Sequence, residues 1–297
     1  MDLRVVGGHT FAAVLLVLLL GSWHTNSNAG GFKTYLPLPD GGTLPAYCFL
    51  PQHGVKSRIP GVVVGVGVGS QVFVQYHTYC QNLADRDFAV VLIDPSNYPE
   101  SLSSGPVEWD KGLGYAKGAV NQGVVATRLF FTHEWYLRSI QAAVDYLYNW
   151  PLVDLTRIVL SGFSQPANAA LTYACRDQRV KAIVWNYGGQ PWVMPYNALS
   201  LPPVLIFHGL DDDVYDVKYA KKLASELHKY GRHFEMHLYP NQKHMFNVYF
   251  DPRTEYPYHR PVLADAFEKL ISFLHRVLHI PDNQSAKPVS IHSAHTR

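Results

Sequence analysis

Short apolar runs alternate with longer amphipathic stretches along most of the chain. An apolar run bounded by glycine, proline or polar residues is typical of a strand buried on both faces, as in a parallel sheet. A longer stretch with apolar residues at helical spacing is typical of a helix that covers such a sheet. The predicted strands are 61–66, 89–93, 157–161, 180–185, 204–207 and 234–239, and the predicted helices are 73–85, 132–149, 217–230 and 261–278.

The chain opens differently. Segments 32–38 and 43–50 flank the turn residues Asp40-Gly41-Gly42, which is typical of an antiparallel hairpin. Repeated strand–helix units follow, and these favour parallel pairing with right-handed crossovers. The sequence therefore predicts an α/β fold, with a mostly parallel sheet, helices on both faces and an antiparallel hairpin at its start.

One segment, 97–131, interrupts this rhythm with several glycines and little periodicity. A loop of this length inside a compact domain is usually a lid or a binding segment. It follows the strand that ends at Asp94, and so starts at the edge of the sheet where open α/β folds bind ligands. Trp109, Tyr115 and Phe131 are therefore candidates to wall a substrate pocket, although they could equally just cover the sheet edge.

The first residues resemble a secretory signal peptide. A positively charged start, an apolar stretch over 11–21 and a small-residue cleavage site ending at Ala29 are its features. A retained N-terminal membrane anchor is the alternative. We expect a signal peptide over 1–29, one catalytic domain over 30–280 and a disordered tail over 281–297, in a secreted or periplasmic protein.

Composition narrows the function. A net charge of +2 with no run of Lys or Arg gives no reason to expect a nucleic-acid partner. The 15 histidines are scattered without ligand spacing, so no metal is expected. No cofactor is expected either, because the chemistry indicated by the motifs below needs only side chains. The sequence does not decide whether Cys48, Cys80 and Cys175 include one disulfide or are free thiols, and it does not indicate an oligomeric state.

The segment around Ser164 carries the strongest chemical signal. A predicted buried strand leads through Gly162 into Ser164, and a helix of small residues follows. A serine on such a sharp strand-to-helix turn projects its hydroxyl from the sheet, and the N–H of Gln165 then faces a developing oxyanion. Pro166 occupies the place where this motif usually has glycine. It adds bulk at the strand–helix crossing and leaves the aim of the Gln165 donor open.

A serine nucleophile needs a histidine base that is oriented by a carboxylate. Asp212 follows the predicted strand 204–207, and His244 lies in the loop after the predicted strand 234–239. The order Ser, Asp, His along the chain is that of the α/β-hydrolases. Asp211 and Asp213 in the same loop are more typical of solvated neighbours than of catalytic acids, and Asp216 is either a spare acid or a helix cap.

The segments "GFSQ", "HGLDDDV" and "YPNQKHMFN" together resemble the dienelactone hydrolase family and its esterase and acyl-peptidase relatives. The family pattern has H-G-x-x-D before the acid and Y-P-x-x-x-H-x-F around the base. The resemblance covers 32–278 and implies that Ser164 is the nucleophile, Asp212 the acid and His244 the base. The dienelactone hydrolases themselves are usually described with a cysteine nucleophile, so the serine resembles their esterase-like relatives.

The glycine-rich loop 65–70 fits the same resemblance, which implies that the N–H of Val68 is the second oxyanion donor beside that of Gln165. Family members often have His-Gly here, and Val66 replaces that histidine. A dinucleotide-binding loop is the alternative, but its third glycine is replaced by Ser70.

These observations predict a serine esterase that cleaves a small carboxylic ester through an acyl-enzyme, without stable membrane insertion. A serine peptidase of the acyl-peptidase type is the first alternative. A non-catalytic binding protein with a hydrolase fold is the second, because of Pro166. The sequence does not specify the acyl group, the alcohol or the physiological role.

Overall fold

The computed structural model describes residues 31–39, 41–67, 73–94, 119–189, 197–248 and 260–280. Their eight strands are β1 (Phe32–Pro37), β2 (Thr43–Phe49), β3 (Ile59–Gly65), β4 (Ala89–Ile93), β5 (Val153–Phe163), β6 (Val180–Asn186), β7 (Val204–Gly209) and β8 (Phe234–Tyr239). Their α-helices are α1 (Phe73–Ala84), α2 (Ala119–Tyr148), α3 (Gln165–Ala174), α4 (Lys218–Lys229) and α5 (Arg260–Val277), and a short 3₁₀ helix covers Ala198–Ser200.

The eight strands form one sheet in the order β1-β2-β4-β3-β5-β6-β7-β8. β2 pairs antiparallel with both β1 and β4, and every pair from β4 to β8 is parallel. The predicted hairpin and the mostly parallel sheet are both confirmed. Because parallel strands all point the same way, the loops after β3, β5, β6, β7 and β8 leave from one edge, where a site can be assembled.

Two apolar cores lie on the two faces of this sheet. Successive side chains of a strand point to opposite faces, so Val63 of β3 belongs to one core and its neighbours Val62 and Val64 to the other. Helices α2, α3 and α4 contribute to the first core, and α1 and α5 to the second. Helices therefore cover both faces, as the sequence predicts.

Helix α2 corrects the sequence-based boundary of the insertion. We expected a helix beginning at Thr132, with segment 97–131 as a lid-like loop, but α2 begins at Ala119 and Thr132 is buried within it. The glycine-rich stretch ends at Gly118, and 119–131 contains one glycine and no proline to stop a helix. Although α2 has 30 residues, neither it nor another helix in the described ranges is long and apolar enough to cross a membrane.

All three cysteines outside the predicted signal peptide are free thiols. Cys48 on β2 and Cys80 on α1 are fully buried, and burial raises the pKa of Cys48 to about 12 and that of Cys80 well above its ordinary value. Cys175, at the end of α3, is partly exposed and hydrogen bonds to the backbone of Asn197. The buried pair contributes apolar packing, since thiols with raised pKa values are poor nucleophiles.

Acid should destabilise the fold partly through His133 on α2. Burial, with a smaller contribution from Arg176, lowers the pKa of His133 from 6.5 to about 4, and its Nε2 lies 3.2 Å from the hydroxyl of Thr172. The unfolded chain binds this proton more readily, so the stabilisation present above pH 6.5 is lost as the pH falls towards 4. We expect the free energy of unfolding of His133→Gln to fall less than that of the wild type between these pH values. Parallel curves would contradict this.

Candidate active site

Ser164 lies on the predicted sharp turn, between β5 and α3. Its backbone has φ 64° and ψ −129°, a strained region for a residue with a side chain. Two hydrogen bonds hold the turn. The Ser164 N–H donates to the carbonyl of Asn186 (3.0 Å), and the Ala167 N–H donates to the carbonyl of Ser164 (3.1 Å). Gly162 permits the tight crossing, because a Cβ there would collide with the Ala167 backbone.

Pro166 is accommodated rather than disruptive in this turn. It is buried in the first turn of α3, where a helix has no acceptor for its N–H. Its ring packs against Gly65 of β3, and a Cβ at Gly65 would lie only 3.1 Å from the Cβ of Pro166. The extra bulk that the sequence suggested is therefore matched by a glycine on the neighbouring strand.

Pro166→Gly should leave kcat unchanged to within about two-fold, because the Ser164 hydroxyl already lies 3.1 Å from His244 Nε2 with proline present. It should lower the free energy of unfolding by up to about 1 kcal/mol, since glycine has more freedom in the unfolded chain. Turnover measurements and thermal melting of this single variant test both. A clear rise in kcat would mean that the proline misaligns the turn.

His244 connects Ser164 to Asp212. Its Nε2 lies 3.1 Å from the Ser164 Oγ, and its Nδ1 lies 2.8 Å from Asp212 Oδ2. An ionised carboxylate only accepts, so Nδ1 carries the hydrogen, Nε2 accepts and the serine hydroxyl donates. The Asp212 side chain is 1% exposed and that of His244 is 10% exposed, so the acid is the more deeply buried of the two.

The Asp212 carboxylate is fixed by its own loop and by His208. Its Oδ1 accepts the backbone N–H groups of Val214 (2.9 Å) and Tyr215 (2.8 Å). His208 is completely buried, with its Nε2 2.9 Å from the carbonyl of Tyr215 and 3.4 Å from Asp212 Oδ2. Burial lowers the pKa of His208, so its neutral ring donates from Nε2 and closes the loop against the end of β7.

The other three aspartates of this loop do not reach His244 in the hydrogen bonds of the described residues. Asp213 is exposed and lies 3.6 Å from Lys243. Asp216 accepts the backbone N–H of Lys218 (2.8 Å) at the start of α4, in the manner of a helix cap. Among the described side chains, no group of three His, Cys, Asp or Glu is arranged to hold a metal ion.

Two tyrosines that the sequence analysis did not single out flank His244. The ring of Tyr187 meets the imidazole edge-on at 4.6 Å, and that of Tyr215 at 5.6 Å, measured between centroids. Burial raises the pKa of Tyr215 to about 12, and a contact of its hydroxyl with the Ser164 side chain offsets part of that rise. Each tyrosine follows the C-terminal end of a parallel strand, where open α/β folds bind ligands. That position is the sequence signal that could have identified them as site residues.

The predicted oxyanion and pocket residues are only partly within the described structure. Gln165 is the first residue of α3, so its N–H has no acceptor within the helix. The loop after β3 passes beside Ser164, since a Cβ at Gly67 would lie 4.0 Å from that of Ser164. Val68, Trp109 and Tyr115 lie outside the described residues. Phe131 lies in α2, but its side chain is likewise not described.

Solved structures with low sequence identity share this fold. A provisionally assigned dienelactone hydrolase from Klebsiella pneumoniae superposes with a TM-score of 0.63 at 18% identity, over 83% of this chain and 98% of that one. A dienelactone hydrolase-like promiscuous phosphotriesterase from metagenomic libraries gives 0.60 at 19%, over 84% and 99%. Pyrococcus horikoshii acylaminoacyl peptidase gives 0.60 at 14%, over 88% of this chain and 43% of its own. The shared fold is that of the α/β-hydrolases.

One curated relative matches part of the sequence. An uncharacterized protein of Pseudomonas aeruginosa is 28% identical over 144 residues, which are 48% of this chain and 33% of the relative. The match thus spans a third of that protein's length. Agreement over most of the chain comes from a family model: residues 44–278 match that of the dienelactone hydrolase family. The chain therefore belongs to the dienelactone hydrolase family.

Proposed function

We propose that this protein is a serine hydrolase that cleaves carboxylic esters through an acyl-enzyme. The observation that carries the proposal is the relay from Asp212 through His244 to Ser164, with 2.8 Å and 3.1 Å between the bonded atoms. Membership of a hydrolase family supports it. We further propose that it acts outside the cytosol, as the signal-peptide features of residues 1–29 suggest.

In the proposed acylation step, the Ser164 Oγ attacks the ester carbonyl carbon while His244 Nε2 takes the hydroxyl proton. Asp212 stabilises the resulting imidazolium, because its carboxylate faces Nδ1 and is held by two backbone N–H groups. The carbonyl oxygen becomes an oxyanion, and the N–H of Gln165 at the start of α3 is the proposed first donor to it. The Val68 N–H is the proposed second donor. His244 then protonates the leaving alkoxide.

Deacylation repeats these roles with water in place of the serine hydroxyl. His244, neutral again, removes a proton from water, and the hydroxide attacks the acyl carbon. Collapse of the second tetrahedral intermediate breaks the bond to Ser164 Oγ, which recovers its proton from His244. The acid and the original enzyme are released.

Peptide cleavage by the same residues is the second candidate, since the fold is also that of an acylaminoacyl peptidase. The two reactions differ in the leaving group, because an amine must be protonated before it departs. We expect p-nitrophenyl esters to be hydrolysed far faster than p-nitroanilides that carry the same acyl group. Comparable kcat/KM values for the two series would favour the peptidase. Esters of graded chain length would define the acyl specificity.

A binding protein without activity would not react with a fluorophosphonate probe. We expect the wild type to be labelled at Ser164 and Ser164→Ala to remain unlabelled. A folded wild-type protein that resists labelling would overturn the proposed hydrolase. Mass spectrometry of the labelled peptide identifies the serine.

A further inference from the structure

Asn186, at the end of β6, makes three hydrogen bonds that meet at the active-site edge of the sheet. Its backbone carbonyl accepts the N–H of Ser164 (3.0 Å), and its Nδ2 donates to the carbonyl of Gly162 (3.0 Å). Its Oδ1 accepts from Asn247 Nδ2 (2.7 Å). The residue is completely buried. One side chain thus joins the turn that carries the nucleophile to the loop that carries the base.

Asn247 lies three residues after His244, and the backbone between them is strained. Met245 has φ 67°, an uncommon conformation for a long side chain. The turn closes with a bond from the Val248 N–H to the Met245 carbonyl (3.2 Å). Such a conformation persists only where the surroundings enforce it. The buried side chain of Asn247 is therefore the polar anchor that holds this turn against β6.

Stability alone does not account for two buried amides. The Oδ1 of Asn247 is buried and has no hydrogen-bond partner among the described residues, which costs free energy. Two apolar side chains of similar shape would avoid that cost. The amides instead fix the relative position of two segments. A short hydrogen bond is directional, whereas apolar contacts alone would let one segment shift along the other.

We propose that the Asn186–Asn247 amide bridge sets the position of His244 relative to Ser164, which makes Asn247 a positioning residue. This proposal rests on the proposed function. The bridge and the relay form a closed ring. Ser164 bonds to Asn186 through the backbone, Asn186 bonds to Asn247, and the loop returns through His244 to the Ser164 hydroxyl. Loss of the bridge opens the ring and lets the imidazole drift from both of its partners.

The test follows the Nδ1–H proton of His244 by NMR, together with ester hydrolysis. This proton bonds to Asp212 and should give a downfield signal that disappears in His244→Gln. We expect Asn247→Leu, and the smaller Asn247→Ser if the leucine variant does not fold, to lose or shift that signal. Their kcat/KM should fall by about 10- to 100-fold, as for a misplacement on the order of 1 Å.

A double variant separates positioning from stability. Asn186→Leu/Asn247→Leu removes both amides and leaves only the Gly162 carbonyl without its donor, so its melting temperature should recover relative to Asn186→Leu, in which Asn247 Nδ2 is also left unpaired. Its Nδ1–H signal and its activity should not recover. Tyr173→Phe is the matched control. It loses a 2.7 Å bond to Asp177 at the other end of α3 and should keep both the Nδ1–H signal and the activity.

Failure of the bridge inference and failure of the proposed function give different results. If Asn247→Leu and Asn247→Ser keep the signal and stay within about two-fold of the wild-type kcat/KM, the bridge does not position His244 and the inference fails. If the wild type hydrolyses no ester but the signal depends on Asn247 as expected, the bridge stands and the proposed function fails.

Discussion

Ser164→Ala and His244→Ala should each abolish almost all ester hydrolysis, and the double variant should be barely worse than either. The two side chains take part in one proton transfer across 3.1 Å, so removing one leaves the other without a role. In a relay of this kind the loss for either group is about a million-fold in kcat and is strongly non-additive.

The measurement is single-turnover hydrolysis of a p-nitrophenyl ester by the three variants, with thermal melting to show that each is folded. Tyr173→Phe serves again as the control, because its bond to Asp177 lies at the far end of α3. Losses that multiply in the double variant would mean that Ser164 and His244 act in separate steps. The relay would then not be the catalytic unit.

Most of the sheet could be predicted because its central strands are buried along most of their length. β4 and β8 have the predicted bounds, since polar residues or turns follow at once. β5 begins earlier than predicted because Asp154 and Thr156 interrupt the apolar pattern before Arg157. These side chains bond to one another. A strand that begins on polar residues is visible only when its neighbour, here β3, pairs with it.

Helix α2 was misjudged for a related reason. Glycines at 112, 114 and 118 suggested that the irregular segment continued, and Thr132 resembled a cap. In the folded chain Thr132 is buried inside the helix, which continues towards its start as far as Ala119. A threonine that caps a helix and a threonine inside a long helix look alike in the local sequence, so Thr132 could not mark where α2 begins.

The candidate site also contains residues that the sequence reveals and residues that it does not. Ser164, Asp212 and His244 could be identified because each follows a predicted strand in a recognisable order. Asn186, Asn247 and Tyr215 could not, because their contacts join elements far apart in sequence and belong to no local pattern. Only the sheet order, which places β6 between β5 and β7, brings them together.

Asp212→Asn should lower kcat by roughly 10⁴-fold, while Asp213→Asn should stay close to the wild type. The carboxylate accepts the Nδ1 hydrogen of His244 and two backbone N–H groups, so every bond it makes requires an acceptor. An asparagine amide turned towards His244 would present its own hydrogens, which stabilises the tautomer with the proton on Nε2. The imidazole could then no longer take the serine proton. Asp213 is the matched control, since it is exposed and its nearest ion-pair partner is Lys243 at 3.6 Å.

The pH dependence separates this explanation from simple unfolding. If the tautomer is the cause, Asp212→Asn should keep a wild-type melting temperature within a few degrees, because the asparagine oxygen can still accept the N–H groups of Val214 and Tyr215. Its activity should recover in part at high pH, where hydroxide can replace the base. Asp216→Asn tests the alternative acid, and we expect only a small loss, since Asp216 bonds to Lys218 at the start of α4. A severe loss there, with a mild effect at Asp212, would show that His244 has a different carboxylate partner during catalysis.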